Sequence, residues 1–328
     1  MSNPLFDLKT GRFRFICTRN HDIEFQNGFC ARLRGNIGFL IKKNCCLYKD
    51  FRSRACPECI VAMSCSYPKL FSPLTPPPTT DAKGRLRIAH PPPRPFVLSA
   101  TPRGTDDSLL QIDFCLFGPA LEESAFFLDM AGNSLLNIHG DGIPFLEEIV
   151  GLQALKPEKT SNVKRESDAY SLADWIDCKT DYKSGPGSHS HRVALTFRSP
   201  FCHKKINGAE KFNLQNSLPE ILLKAIIRRL RDLKRAYGED TNMGKIDGRV
   251  FSGLKNISCI ENTLRPATGK RYSYSQEKAI NLTGVTGRIV FDNLHSSMLP
   301  FLQCCGVIHA GKGTSWGLGN IDMAIPAK

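Results

Sequence analysis

The chain has 328 residues, 41% of them hydrophobic and 23% charged, a globular composition that excludes global disorder. Its net charge is +13, from 44 Lys and Arg against 31 Asp and Glu, so it attracts polyanions: RNA, DNA or an anionic surface. No run reaches the roughly 18–20 apolar residues of a spanning helix, and the opening MSNPLFDLKTG has no apolar signal core; the expectation is a cytoplasmic protein of about two domains with no membrane contact.

Residues 11–19, GRFRFICTR, alternate. Phe13, Phe15 and Cys17 point one way, Arg12 and Arg14 the other, which predicts a strand with one basic face. In GFCARLRGNIGFLIKK, residues 28–43, Phe29, Leu33, Ile37 and Leu40 keep helical spacing. Arg32, Arg34, Lys42 and Lys43 make that helix basic. A cysteine cluster fills 45–66, and a proline-rich stretch, 73–95, reads as a long, partly mobile connector.

Residues 96–101 and 109–117 predict strands, 120–137 a helix and 144–155 a further strand. The polar stretch 156–190 ends in SGPGSHSH and marks a domain boundary. Residues 191–201 predict a strand. Over about 217–237 a helix follows, with Leu218, Leu222, Ala225, Ile226, Leu230 and Leu233 as its core face. Lys224, Arg228, Arg231, Lys234 and Arg235 load the other faces and are candidate contacts for RNA phosphate. Residues 282–292 predict a strand. The two domains expected are therefore 1–190, carrying the cysteine insertion (45–66) and the connector (73–95), and 191–328. Each has strands flanking a basic helix, which is an α+β pattern; the ferredoxin-like βαββαβ unit is one member of that class.

Thirteen cysteines in a long chain without a secretory signal point to reduced thiols or a metal rather than disulfides. Cys46, Cys56, Cys59 and Cys65 have the spacing C-x9-C-x2-C-x5-C, which suits a structural four-thiolate zinc. Cys45 is an alternative to Cys46, and an iron–sulfur cluster uses the same ligand number. Gly306, Gly311, Gly313, Gly317 and Gly319 fall within fourteen residues of the tail. Such a loop brings backbone N–H groups close to a phosphate. Gly311, Lys312, Gly313, Thr314 and Ser315 are the candidate contacts there, although the spacing is not that of a Walker loop.

The tail IHAGKGTSWGLGNI resembles the C-terminal glycine-rich loop of the CRISPR precursor-RNA processing endoribonucleases of the RAMP superfamily. LRGNIGFLIKKNCC, CPECIVAMSCSYPKLF, FVLSAT, FCLFGPA, VALTFRSPF and YSYSQEKAINLTGVTGRIVF resemble further blocks of that family, in order, from about residue 12 to 325. The resemblance implies tandem ferredoxin-like (RRM-like) domains and cleavage of CRISPR repeat RNA with no catalytic metal. In that reaction the ribose 2′-OH attacks the adjacent phosphorus, leaving a 2′,3′-cyclic phosphate and a 5′-OH. Partners implied are the repeat RNA, the mature crRNA, which the protein retains as a further expectation, and other CRISPR effector subunits.

This chemistry needs proton carriers near neutrality, a role suited to histidine. Of the eight histidines, His21 lies between the first strand and first helix, where members of the family carry a catalytic histidine. His309 matches the loop histidine, which is either catalytic or a brace. His189, His191 and His203 flank a polar loop; Tyr67 and Tyr48 are weaker proton donors. The alternative functions are a catalytically inert RNA-binding subunit with the same fold, and a zinc-containing DNA-binding protein.

Overall fold

A computed structural model describes residues 3–19, 28–53, 55–80, 86–87, 90–103, 106–140, 143–144, 146–157, 169–176, 190–203, 217–240, 242–273 and 278–326. The alternation at the start of the chain becomes strand β1 (Lys9–Arg19). Phe13, Phe15 and Cys17 enter a core, as expected, with α1 (Phe29–Cys45) packed over them. β2 (Phe96–Arg103) and β3 (Asp106–Phe117) form a hairpin. α2 (Ser124–Leu136) and β4 (Leu146–Leu155) complete the half. The expected helix 120–137 is two pieces, Gly118–Glu122 and α2, broken at Glu123.

β1 is central. It pairs antiparallel with β3, from Thr10↔Phe117 to Thr18↔Leu109, and with β4 on its other side. The strand order is β2-β3-β1-β4, which with the element order βαββαβ makes a ferredoxin-like unit.

The second half repeats the plan. β5 (Ser190–Phe201) leads to α3 (Leu218–Tyr237), then β6 (Ser258–Asn262), β7 (Arg265–Ser273) and β8 (Lys278–His295). Two short helices, α4 (Leu299–Gln303) and α5 (Cys305–Ile308), precede β9 (Ile321–Ala324). The order is β6-β8-β5-β9, with β5 and β8 at the centre and β7 an additional strand on β8. β8 is long enough to hold β6 along one stretch and β7 along another.

α3 begins with Pro219 in its first turn, where a missing N–H costs nothing. Its apolar stripe of Leu218, Leu222, Ile226, Leu230 and Leu233 is buried as expected. That stripe does not serve the second half alone. Its core also takes in Leu5, Phe6, Leu8, Val97, Cys115, Phe117, Leu172 and Ile176 from before residue 190. At about 1.5–3 kcal/mol for each large apolar side chain fully buried, this seam binds the halves firmly. Tyr237 at the end of α3 donates its hydroxyl to the Pro93 carbonyl. The connector is therefore held at its C-terminal end, where the Arg94 Nε also donates to the Phe71 carbonyl at 2.9 Å.

Candidate functional site

The glycine-rich loop leaves α5 at His309, whose φ of 56° turns the chain sharply. Its backbone is tied down by protein. Ala310 N–H donates to the Gly319 carbonyl (2.9 Å), Lys312 N–H to that of Cys202 (2.8 Å) and Gly319 N–H to that of Pro200 (3.0 Å). Trp316 and Leu318 N–H groups both turn back to the Gly313 carbonyl. The glycines allow close approach: a Cβ on Gly319 would stand 1.8 Å from the Ala310 oxygen, and one on Gly311 2.6 Å from that of Cys202. Gly313 holds φ 73°, and a Cβ on it would stand 2.8 Å from the side chains of both Trp316 and Leu318.

The expectation of an open phosphate cradle therefore needs correction. Thr314 and Ser315 are buried, so their hydroxyls are not surface donors. Lys312 is the exposed cation of the loop. The loop also meets the first half. A Cβ on Gly317 would lie 2.5 Å from the Cys30 Cβ, in the first turn of α1.

His309 sits in this seam, buried, with its Nδ1 3.2 Å from the Leu318 carbonyl. Burial pulls its pKa down to about 3, helped by the Arg229 cation and by Arg12, against the carbonyl that favours the proton. A histidine held neutral in this way braces the loop; it is poorly suited to carrying protons near neutrality.

Arg229 of α3 reaches the Ile308 carbonyl (Nε–O 3.4 Å), its Nη2 enclosed without a hydrogen-bond partner. Burial lowers that guanidinium to about 10. Arg12 lies 5.0 Å over the Trp175 ring. On the same face of β1, Arg14 clasps Asp113 through two bonds of 2.6 and 2.7 Å. Sequence reasoning passed over Arg229. Its signal was spacing: it follows Leu222 by seven residues and Ile226 by three, on the flank of the core stripe.

His21 lies outside the described residues. Its segment is bounded by Arg19, which ends β1, and Gly28, which caps α1 at φ 131°. His189 also lies outside them. His191 pairs with Leu294 across β5 and β8, and His203 stacks on Phe201 at 6.1 Å.

The basic candidates divide. Arg32 is exposed on α1, while Arg34 lies 5.0 Å over the Phe71 ring. On α3, Lys224 pairs with Glu220, and Arg228 and Arg235 both pair with Asp232 (3.7 and 3.3 Å); Arg231 is exposed. Lys234 was expected on the same wet face and is not there. It is buried, its ammonium 3.1 Å from Asp240, because it stands seven residues after Ile227 and four after Leu230 on the packed side.

The cysteine insertion folds onto the end of α1. Cys45, Cys46, Cys56, Cys59 and Cys65 all line one cavity of about 20 Å³, with Lys42, Val61, Ala62, Tyr67 and Pro68. All five are free thiols. Among the described residues no group of three or more His, Cys, Asp or Glu is placed, as it stands, to hold a metal ion. Nor is any helix among them long and apolar enough to cross a membrane.

Residues 195–321 match the family model of the CRISPR-associated endoribonuclease Cas6, and residues 8–144 match a model described as an N-terminal domain. No curated protein shows significant similarity to the chain. Among solved structures, a Cas6 product complex is 12% identical, over 97% of this chain and 100% of its own, with a TM-score of 0.47. Cas6 from Thermus thermophilus is 13% identical over 97% and 99%, with a TM-score of 0.45. A RAMP protein binding different RNA substrates is 9% identical over 96% and 99%, with a TM-score of 0.43. These three likenesses are distant. The Cas6 match runs from within β5 through the glycine-rich loop, and over those residues the chain is similar to the CRISPR-associated endoribonucleases of the Cas6 family.

Proposed function

We propose that this protein matures CRISPR RNA by cutting precursor transcripts within their repeats, with no metal ion at the reacting phosphate. The observation that carries the reading is the Cas6 domain over 195–321, whose glycine-rich loop is packed against the first turn of α1. In the reaction proposed, the 2′-oxygen forms a bond to phosphorus as the bond to the 5′-oxygen breaks. The 2′-OH proton passes to a base, and an acid protonates the leaving 5′-oxygen. The products are a 2′,3′-cyclic phosphate and a 5′-OH.

His21 is the proton carrier in this reading. The neutral, buried state of His309 suits a brace, which leaves His21 as the histidine between the first strand and first helix. Lys312 and the exposed arginines Arg32, Arg228, Arg231 and Arg235 supply cations for the RNA backbone. Effector subunits and retained crRNA are the partners proposed.

A second reading has support from the same observation. If His21 does not carry protons, the fold serves as an inert RNA-binding subunit. Single-turnover cleavage of the cognate repeat RNA in excess EDTA separates the two. The expected result is cutting that stops with a 2′-deoxy substrate and falls by about 10²–10⁴-fold in His21→Ala, with RNA affinity kept. Tight binding without cutting by the unaltered protein would establish the second reading instead.

A further inference from the structure

The segment between α1 and the short helix Ser66–Leu70 is packed inside out. Ile60 and Met63 are 90% and 81% exposed, while the thiols of Cys46, Cys56, Cys59 and Cys65 line one cavity together with Leu47, Val61 and Ala62. A segment that leaves large apolar side chains in water and gathers its sulfurs round one small cavity has little hydrophobic core of its own to hold it. A metal–thiolate centre supplies the cohesion that such segments lack.

We propose that Cys46, Cys56, Cys59 and Cys65 bind one zinc ion, which ties the insertion to the C-terminal end of α1. As it stands the cavity, at about 20 Å³, admits one small ion, and a single zinc is the simplest occupant; acid-labile sulfide would mark an iron–sulfur cluster instead.

The neighbours decide between cysteines. Cys56 has Cys65, Cys46 and Cys59 within electrostatic reach. Cys45 also has Cys65 within electrostatic reach, but its thiol is bonded to Ser66 and the Tyr67 backbone and packs on the first-half core. The Cys56–Cys59 pair is already in a tight turn, with Cys59 N–H on the Cys56 carbonyl at 3.1 Å, which sets two sulfurs on one side. Binding requires the four side chains to close from the walls of the cavity onto its centre, with release of their protons. Four thiolates fill a tetrahedron and leave no position for water, so the ion is structural.

The site also bears on α1. Tyr67 follows the last ligand by two residues, stacks on Phe71 at 6.1 Å and has the Lys42 ammonium 5.4 Å above its ring. Phe71 carries Arg34 on its ring and fits against Gly38, where a Cβ would meet it at 2.5 Å. Release of the ion loosens this stack beneath the basic face of the helix.

The test uses the full chain, purified under reducing conditions. Elemental analysis by mass spectrometry should find one zinc per chain, and Co²⁺ exchanged into the site should give the intense visible bands of a tetrahedral thiolate complex. Cys59→Ser and Cys46→Ser should reduce metal to background, while Cys45→Ser and the distant Cys259→Ser should keep it. Chelation should lower the melting temperature of the unaltered protein. A metal-free protein that gives no Co²⁺ bands and is indifferent to chelator would overturn the proposal. So would acid-labile sulfide in a brown protein, or metal lost from Cys45→Ser and kept by Cys46→Ser.

Discussion

His309 carries no proton at neutral pH, and that has a thermodynamic signature. The folded protein holds its pKa at about 3, whereas the ordinary value is 6.5. An unfolded chain therefore takes up a proton that the folded one refuses. Stability from this residue is complete above about pH 6.5 and is lost as pH falls toward 3. By pH 5 the loss is about 2 kcal/mol. Urea unfolding at pH 8 and pH 5 should show a smaller fall in His309→Gln than in the unaltered protein. An equal fall in both would mean that His309 is protonated in the fold. In cleavage, His309→Gln should leave the acid limb of the pH–rate profile in place, and His21→Ala should remove that limb along with most of the turnover. The sequence put His309 in the right loop, on the match of IHAGKGTSWGLGNI. It could not show that Arg229, 80 positions earlier, would lie beside it and help keep it neutral.

At the scale of elements, α3 was legible from its 3.6-residue period, core stripe included. Its sidedness was less so. Lysines and arginines in a dense basic run look alike, yet Lys234 turns inward while Arg231 stays in water. RNA binding should separate them. Arg231→Ala should weaken binding and lower the salt dependence by about one phosphate contact. Lys234→Met, which replaces a buried stem with an apolar one and frees Asp240, should leave both unchanged. The glycine-rich loop tells the same story in reverse. Its glycines were read as room for a ligand phosphate, and the structure uses several of them as room for its own backbone. Gly317 has φ 82° and Cys30 pressed against it. Gly317→Ala should cost at least about 1–2 kcal/mol from the left-handed backbone alone, and more from the contact with α1. Its melting temperature and its cleavage rate should fall together.

Across the whole molecule, the two βαββαβ halves follow from the order of predicted strands and helices, and β5 begins at Ser190. The joint core did not follow. Leu5, Phe6 and Leu8 precede the first strand, and nothing in their spacing says that they pack with α3 and the second half rather than with the sheet beside them. Contacts between residues more than 200 positions apart depend on how two finished units dock, which local periodicity does not encode. Because that core spans both halves, thermal or urea unfolding should proceed in a single transition by far-UV circular dichroism and by tryptophan fluorescence. Residues 190–328 alone should aggregate, with the packed side of α3 uncovered. Two resolved transitions would show that the seam is weaker than its apolar area requires.

The tether between Tyr237 and Pro93 gives the proline-rich stretch a different standing from the rest of the chain. Its downstream end is clamped there, and its upstream end at Phe71 is wedged against Gly38. Between two such anchors Thr79 and Thr80 pair with Arg87 and Leu86, and lengthening a closed loop costs only about 0.6 kcal/mol per doubling. A tag or reporter inserted into this stretch should therefore leave the melting temperature of both halves unchanged.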